Sequence, residues 1–318
     1  MPSPVPAKRD LEENQWPKIS IVTPSYNQGQ YIEETIRAVL LQGYPDIEYL
    51  IMDGGSEDGT VEIIQKYEPW LAYWVSEPDQ GQTDAINRGF ARVKGAILAY
   101  INSDDFYEPR AFFKIAEVFL ENPTAQFVAG GCAIMERSEI TRVFKPWWPA
   151  EPCYFLKPFS STVPQPACFW GHDLFKKVGG FETNLHYCFD QEFYLKIALA
   201  GVSPFLLEDD LARYRDHDQT KTRDRIQFFR ETLSIINKNG VHCGMSSEDT
   251  KDLINQVEKE IAYENVIKTW IAAGRLAASS LFLKMIITHP DLVFRRKILG
   301  LARRLLFFPR HKVPELGS

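Results

Sequence analysis

The sequence predicts an α/β fold built on a mostly parallel sheet with helices on both faces. Two observations carry that expectation. From Ile19 onward, short apolar runs alternate with longer stretches whose apolar residues recur every three or four positions, the pattern of βαβ units. The residues that immediately follow those runs are acidic and polar, where an open parallel sheet keeps its ligand crevice. The chain has 318 residues, 45% hydrophobic and 25% charged, with 19 Gly and 20 Pro, so it is long enough to bury a large core and is not low-complexity.

The elements follow in order. Ile19–Thr23, Glu48–Met52, Ala72–Val75 and Ile97–Ile101 read as strands, and Ile32–Leu41, Val61–Tyr67 and Thr83–Val93 as the helices between them. A helix over Arg110–Leu120 and a strand over Phe127–Met135 come next. Lys145–Pro166, rich in Pro and aromatics, reads as an irregular segment that either covers a site or serves packing. Helix resumes at Asp190–Leu199, a strand follows at Pro204–Leu207, and from Thr222 the chain reads as helical throughout.

Charge is unevenly spread. Residues 284–318 carry eight Lys/Arg against two acidic residues, a surplus of six that leaves the remainder at −12 in a chain of net charge −6. An acidic body excludes a nucleic-acid binder, which needs basic residues where it meets phosphates. The five cysteines are odd in number and form no CxxC pair, so reduced thiols in a cytoplasmic setting are expected rather than a disulfide framework or zinc knuckle. Residues 1–17 lack a signal-peptide core and read as a flexible lead, and no apolar run reaches the roughly 18 residues of a spanning helix.

Three strand ends converge on one mouth: Pro24-Ser25-Tyr26-Asn27, Asp53-Gly54-Gly55-Ser56 and Asn102-Ser103-Asp104-Asp105. Two adjacent carboxylates emerging from the apolar AILAYI strand call for a compensating cation, and Mg²⁺ or Mn²⁺ suits such oxygen ligands. Asp104 reads as ligand, and Asp105 as either a second ligand or an acceptor that orients the loop, because neighbouring extended residues point to opposite faces. Such ions usually share their sites with substrate phosphates, so a diphosphate is expected beside them. Alternatively Asp104 caps the following helix. DGGSEDGT is not a P-loop, since Thr60 rather than Lys follows Gly59. Asp53 is placed to accept from a base or ribose, and Tyr26 offers a stacking face.

The ordered blocks ISIVTPSYN, YLIMDGGSEDGT, WVSEPDQGQTDAINRGF and GAILAYINSDD resemble the inverting nucleotide-diphospho-sugar transferases of glycosyltransferase family 2, GT-A fold. The likeness continues more weakly through FWGHDLFKKVGGFETNLHYCFDQEF and ARYRDH, to about residue 217. The resemblance implies that Pro24, Tyr26, Asn27, Asp53, Asp84, Asn102, Ser103, Asp105 and Arg215 bind the donor. It further implies that Asp104 and His217 hold the metal, and that Asp190, after the Gly179-Gly180-Phe181 turn, is the base. Asn102 stands where the first Asp of the DxD motif usually does, and Phe189 replaces the common acidic neighbour of Asp190. Asp84 could instead pair with Arg88, Asp190 could be a plain helix cap, and Trp170 and His172 line the acceptor side unless Trp170 packs in the core.

The resulting expectation is a GT-A domain over 18–217, a helical extension over 218–290 and a basic amphipathic tail over 291–318. The tail would either lie on an anionic membrane surface or dock on the main domain. The expected activity is metal-dependent inverting transfer of a sugar, with a uridine diphosphate donor favoured. The acceptor would be a hydroxyl of a glycan or lipid-linked molecule in surface polysaccharide biosynthesis. A nucleotidyltransferase would need a basic glycine loop after the first strand, and TPSYNQGQY has none. A non-catalytic nucleotide-sugar-binding or scaffold protein of the same fold remains the rival reading.

Overall fold

A computed structural model describes residues 16–160, 162–217, 220–221 and 224–307. The flexible lead therefore lies almost wholly outside the described residues, as does the tail beyond 307. The described residues form two compact units, one from residues up to 152 with 160–220, the other from 153–159 with 221 onward.

The first unit is built on one nine-stranded sheet. Strands β1 (Ile19–Ser25), β2 (Ile47–Asp53), β3 (Tyr73–Ser76) and β4 (Ile97–Tyr100) are parallel, in the spatial order β3-β2-β1-β4. β1 and β4 are buried along their whole length between helices, while the edge strand β3 stays partly exposed. Residues alternate faces along β1. Ile19 and Ile21 join the core formed with α1 (Ile32–Leu40) and α4 (Ala111–Glu121), while Val22 meets α3 (Gln82–Phe90) on the other side. That approach requires glycine: a Cβ on Gly89 would lie 2.6 Å from Val22 Cγ1 and 3.3 Å from Met52 Cγ. Helix α2 (Thr60–Tyr67) links β2 to β3.

The rest of the sheet is mixed. β8 (Cys168–Gly171) pairs antiparallel to β4 and to β6 (Phe127–Glu136), which carries the hairpin partner β7 (Glu139–Phe144). β9 (Phe205–Asp216) runs parallel to β6, and the short β5 (Phe106–Tyr107) closes that edge against it. Helices α5 (His172–Val178) and α6 (Phe189–Leu199) follow β8. Trp170, Phe175, Phe181 and Phe193 form one aromatic cluster, with Phe181 and Phe193 4.4 Å apart.

Trp170 is therefore a core residue and does not line an acceptor surface. His172 stays at the opposite end of β4 from the strand-end mouth, where its Nδ1 is 3.0 Å from the Gly95 carbonyl. Among its described residues, the Lys145–Pro166 segment holds the 3₁₀ turn Pro152–Leu156 and the start of a second at Gln165–Ala167, with no strand or α-helix. The five cysteines are free thiols.

The second unit contains α7 (Arg225–Asn239), α8 (Ser247–Ala273), α9 (Arg275–Thr288) and α10 (Arg296–Phe307). Ser246 caps α8 by accepting from the Asp249 amide at 3.0 Å. Val266, Trp270, Ala278, Met285, Ile298 and Leu301 lie in one core, so the apolar side of the tail helix α10 packs within its own unit. No helix among the described residues is long and apolar enough to cross a membrane.

Candidate active site

The mouth is assembled from the loops that follow β1, β2 and β4. The loop after β1 is fastened to the loop after β2 by backbone donors. Asn27 N–H donates to Ser56 Oγ (2.8 Å), Gln28 N–H to Thr60 Oγ1 (3.0 Å) and Gly29 N–H to Asp58 Oδ2 (2.9 Å). Asn27 reciprocates with its side chain, accepting from Glu57 N–H at 3.0 Å. Its left-handed backbone, φ 52°, is one that Asn tolerates. Burial works the other way, but hydrogen bonds from Thr60 and Gly29 hold the Asp58 carboxyl below its usual value.

Asp53 is less free than the strand-end pattern suggested. Gly55 N–H, Ser56 N–H and Ser76 Oγ all donate to its Oδ2 at 2.6–3.1 Å, and Ser56 Oγ donates to its Oδ1 at 2.6 Å. Its immediate work is to shape the glycine turn. Pro24 is buried opposite Met52, whereas the Tyr26 ring is 63% exposed above the mouth.

The loop after β4 separates its two aspartates, as alternation predicts. Asp105 is fully buried and accepts from Arg215 N–H at 2.9 Å and Asn102 Nδ2 at 3.2 Å. Burial above all, then the Asp104 charge, pushes its carboxyl well above the usual range. It is the loop-orienting acceptor of the two alternatives. Asp104 stays partly open, its Oδ2 hydrogen-bonded to His217 Nε2 at 3.0 Å. Thr35 Oγ1 holds the turn by donating to the Ser103 and Asp105 carbonyls at 2.9 and 2.7 Å.

β9 brings Arg215 and His217 to this loop. Arg215 is committed to protein partners: Nε donates to the Asp104 carbonyl at 3.0 Å and Nη2 to Glu34 Oε2 at 2.5 Å, with the guanidinium 4.9 Å above the Tyr31 ring. Tyr31 also lies 5.0 Å from the His217 ring. Asn102 is equally engaged. Its Oδ1 accepts from Gln82 Nε2 at 2.6 Å, and Gln165 lies within 3.4 Å of its Nδ2 while donating Nε2 to the Tyr100 carbonyl. Tyr31, Glu34, Thr35, Gln82 and Gln165 were not singled out from sequence. Only Gln82, inside the QTDAINRGF block, carried a signal.

The third wall joins α3 to the turn before Asp190. Thr83 Oγ1 donates to the Leu185 carbonyl at 2.7 Å. Asn87 Nδ2 donates to the Phe181 carbonyl at 2.8 Å, and Phe181 N–H returns a bond to Asn87 Oδ1 at 3.3 Å. Gly180 has φ +68°, and its carbonyl accepts from Lys196, which also pairs with the buried Glu192 at 2.9 Å. Asp190 is half-buried in the first turn of α6, two residues past the cap at Cys188, and its Oδ1 accepts Gln191 N–H at 2.7 Å. Burial first and then the Asp190 charge push the hydroxyl of Tyr100, the last residue of β4, up. Asp84 accepts Gln80 N–H at 3.2 Å and lies 3.9 Å from Arg88, which also pairs with Glu77.

The family model "Glycosyl transferase family 2" matches residues 20–176, which spans the loops after β1, β2 and β4 and helix α3 but not the turn before Asp190, Asp190 itself or β9. An uncharacterised glycosyltransferase of Mycobacterium tuberculosis is 35% identical over 189 residues, 58% of this chain and 70% of the relative. The chain belongs to glycosyltransferase family 2.

Solved structures support the GT-A fold. S. aureus TarS 1–349 in complex with UDP-GlcNAc superposes with a TM-score of 0.57 at 14% identity, covering 89% of this chain and 83% of that one. The mannosyltransferase PcManGT of Pyrobaculum calidifontis, in complex with GDP-Man and Mn²⁺, gives 0.54 at 18% identity, covering 95% and 88%.

A divalent ion fits the residues present in this family 2 enzyme. Octahedral Mg²⁺ or Mn²⁺ with ligands near 2.1 Å places adjacent ligand atoms about 3 Å apart, and Asp104 Oδ2 and His217 Nε2 are 3.0 Å apart. Among the described residues no cluster of three or more His, Cys, Asp or Glu is arranged for a metal. One carboxylate with the remaining positions left to phosphate oxygens and water is a usual arrangement for such ions, and the His217 imidazole would add a nitrogen ligand to it.

Proposed function

We propose that the enzyme transfers a sugar with inversion from a nucleoside diphosphate donor, a UDP-sugar foremost, to a hydroxyl of a glycan or lipid-linked acceptor in surface polysaccharide biosynthesis. The observation that carries the reading is Asp104 with His217 at the carboxyl ends of the strands. There they would hold Mn²⁺ or Mg²⁺ against the diphosphate. When bound, that ion supplies positive charge that lowers the cost of the departing diphosphate.

The chain's own residues supply the rest. Tyr26 and the strapped Asn27 loop receive the base, and the Asp53 turn the ribose. Ser103 and Asp105 set the loop that presents Asp104, and α3 with Asp84 borders the sugar. Arg215 acts by fixing that loop rather than by touching phosphate. Asp190 accepts the proton of the attacking hydroxyl. A new bond forms from that oxygen to the anomeric carbon as the bond to the diphosphate oxygen breaks, releasing nucleoside diphosphate and protonated Asp190.

One observation favours the rival binding-protein reading: the Asn102 oxygen, which stands in for a DxD carboxylate, is already taken by Gln82. A panel of nucleotide sugars with Mn²⁺ or chelator, followed by nucleoside diphosphate release, separates the two. Transfer that needs Mn²⁺ and is lost in Asp190→Asn supports the enzyme. Binding without turnover of any donor supports the rival.

A further inference from the structure

We propose that the outward faces of α9 and α10 form a surface that lies on an anionic lipid bilayer. From sequence, the apolar side of the tail helix was the candidate for that contact, but Ile298, Leu301 and Leu305 are buried in the core of the second unit. α9 is the helix left with apolar residues on both sides. Ala278 and Met285 face inward, while Leu276, Leu283 and Ile287 are 85%, 61% and 71% exposed. Spacings of seven and four residues put those three on one stripe. A helix that is apolar all round normally has both sides covered.

Charge selects the occupant. Neither α9 nor α10 contains an acidic residue. Between them Asp291 pairs with Lys259, and Lys297 of α10 pairs with Glu260. Arg275, Lys284, Arg295, Arg296 and Arg303 remain exposed. Arg296, Leu299 and Arg303 share the outer face of α10, with Leu299 53% exposed. A ridge of aliphatic side chains flanked by cations matches the boundary between acyl chains and anionic headgroups. A second copy of the chain would bring the same positive face against itself, which costs energy. The proposal is independent of the transfer chemistry and would stand or fall without it.

The test is flotation of the full chain with phosphatidylcholine vesicles and with vesicles of phosphatidylcholine and phosphatidylglycerol in equal parts. The wild type should float with the anionic vesicles only, and less at high salt. Leu276→Gln/Leu283→Gln/Ile287→Gln and Arg296→Glu/Arg303→Glu should each lower binding at least about tenfold, with thermal unfolding and turnover on a water-soluble acceptor unchanged. Three results would overturn it: no flotation of the wild type, equal flotation of the triple variant, or a wild-type oligomer that the triple variant dissolves without any vesicle binding.

Discussion

The side-chain amide of Asn102 donates to Oδ2 of the fully buried Asp105 at 3.2 Å while its oxygen receives Gln82 at 2.6 Å. Asn102 therefore works as the hub of an amide network and not as a spare ligand. Asn102→Asp, which would restore the usual DxD motif, removes the donor and sets a second carboxylate against Asp105. It should cost about 1–3 kcal/mol of stability and lower turnover. Denaturant unfolding and nucleoside diphosphate release measure both, and a more active, equally stable variant would contradict the assignment.

Asn87 ties α3 to the turn that leads to Asp190 through two hydrogen bonds with Phe181. Asn87→Ala should cost about 1–2 kcal/mol and lower kcat between roughly tenfold and a hundredfold through misplacement of the Asp190 turn. The donor KM should be nearly unchanged. A rise in KM alone would show that Asn87 contacts donor instead.

Gly89→Ala tests the packing of α3 on the sheet. Alanine gains about 1 kcal/mol in helix propensity over glycine, but its Cβ would meet both methyls of Val22, at 2.6 and 2.9 Å, on a β-branched side chain that is stiff at χ1. Overpacking of this kind costs about 1–3 kcal/mol, so net destabilisation is expected in thermal unfolding. A stabilised variant would mean that the helix can shift outward freely.

Asp58 provides the pH test. Its carboxyl is held below the ordinary value by hydrogen bonds from Thr60 and Gly29, which outweigh burial. A depressed carboxylate contributes stability that is present above the unfolded value, about 3.9, and is lost as pH falls through the lower folded value. The difference in thermal midpoint between wild type and Asp58→Asn should be constant near neutrality and shrink below about pH 4. A difference that persists unchanged to lower pH would remove ionisation from the explanation.

The first four strands and the helices between them are legible because short apolar runs stand out from helical spacing, most clearly in β1, β2 and β4 with their buried residues. In the sequence only Pro204–Leu207 reads as a strand where β9 runs, because the acidic Glu208-Asp209-Asp210 run interrupts its apolar pattern. Asp209 and Asp210 are balanced by Lys114 and Lys145, far away in sequence. β5, with two residues, is too short to show a period. In the site, the strand-end positions of Asp53, Asp104 and Asp105 followed from alternation. The occupied state of Arg215 and Asn102 did not, because Glu34, Gln82 and Gln165 reach them only through the folded sheet.

The most direct measurement is calorimetric titration of Mn²⁺ into the full chain with UDP present, for wild type, Asp104→Asn and His217→Ala. Saturable binding in the wild type that depends on UDP and is weakened at least about tenfold in each variant, roughly 1.4 kcal/mol, is the predicted result. Equal Mn²⁺ affinity in Asp104→Asn would contradict the account.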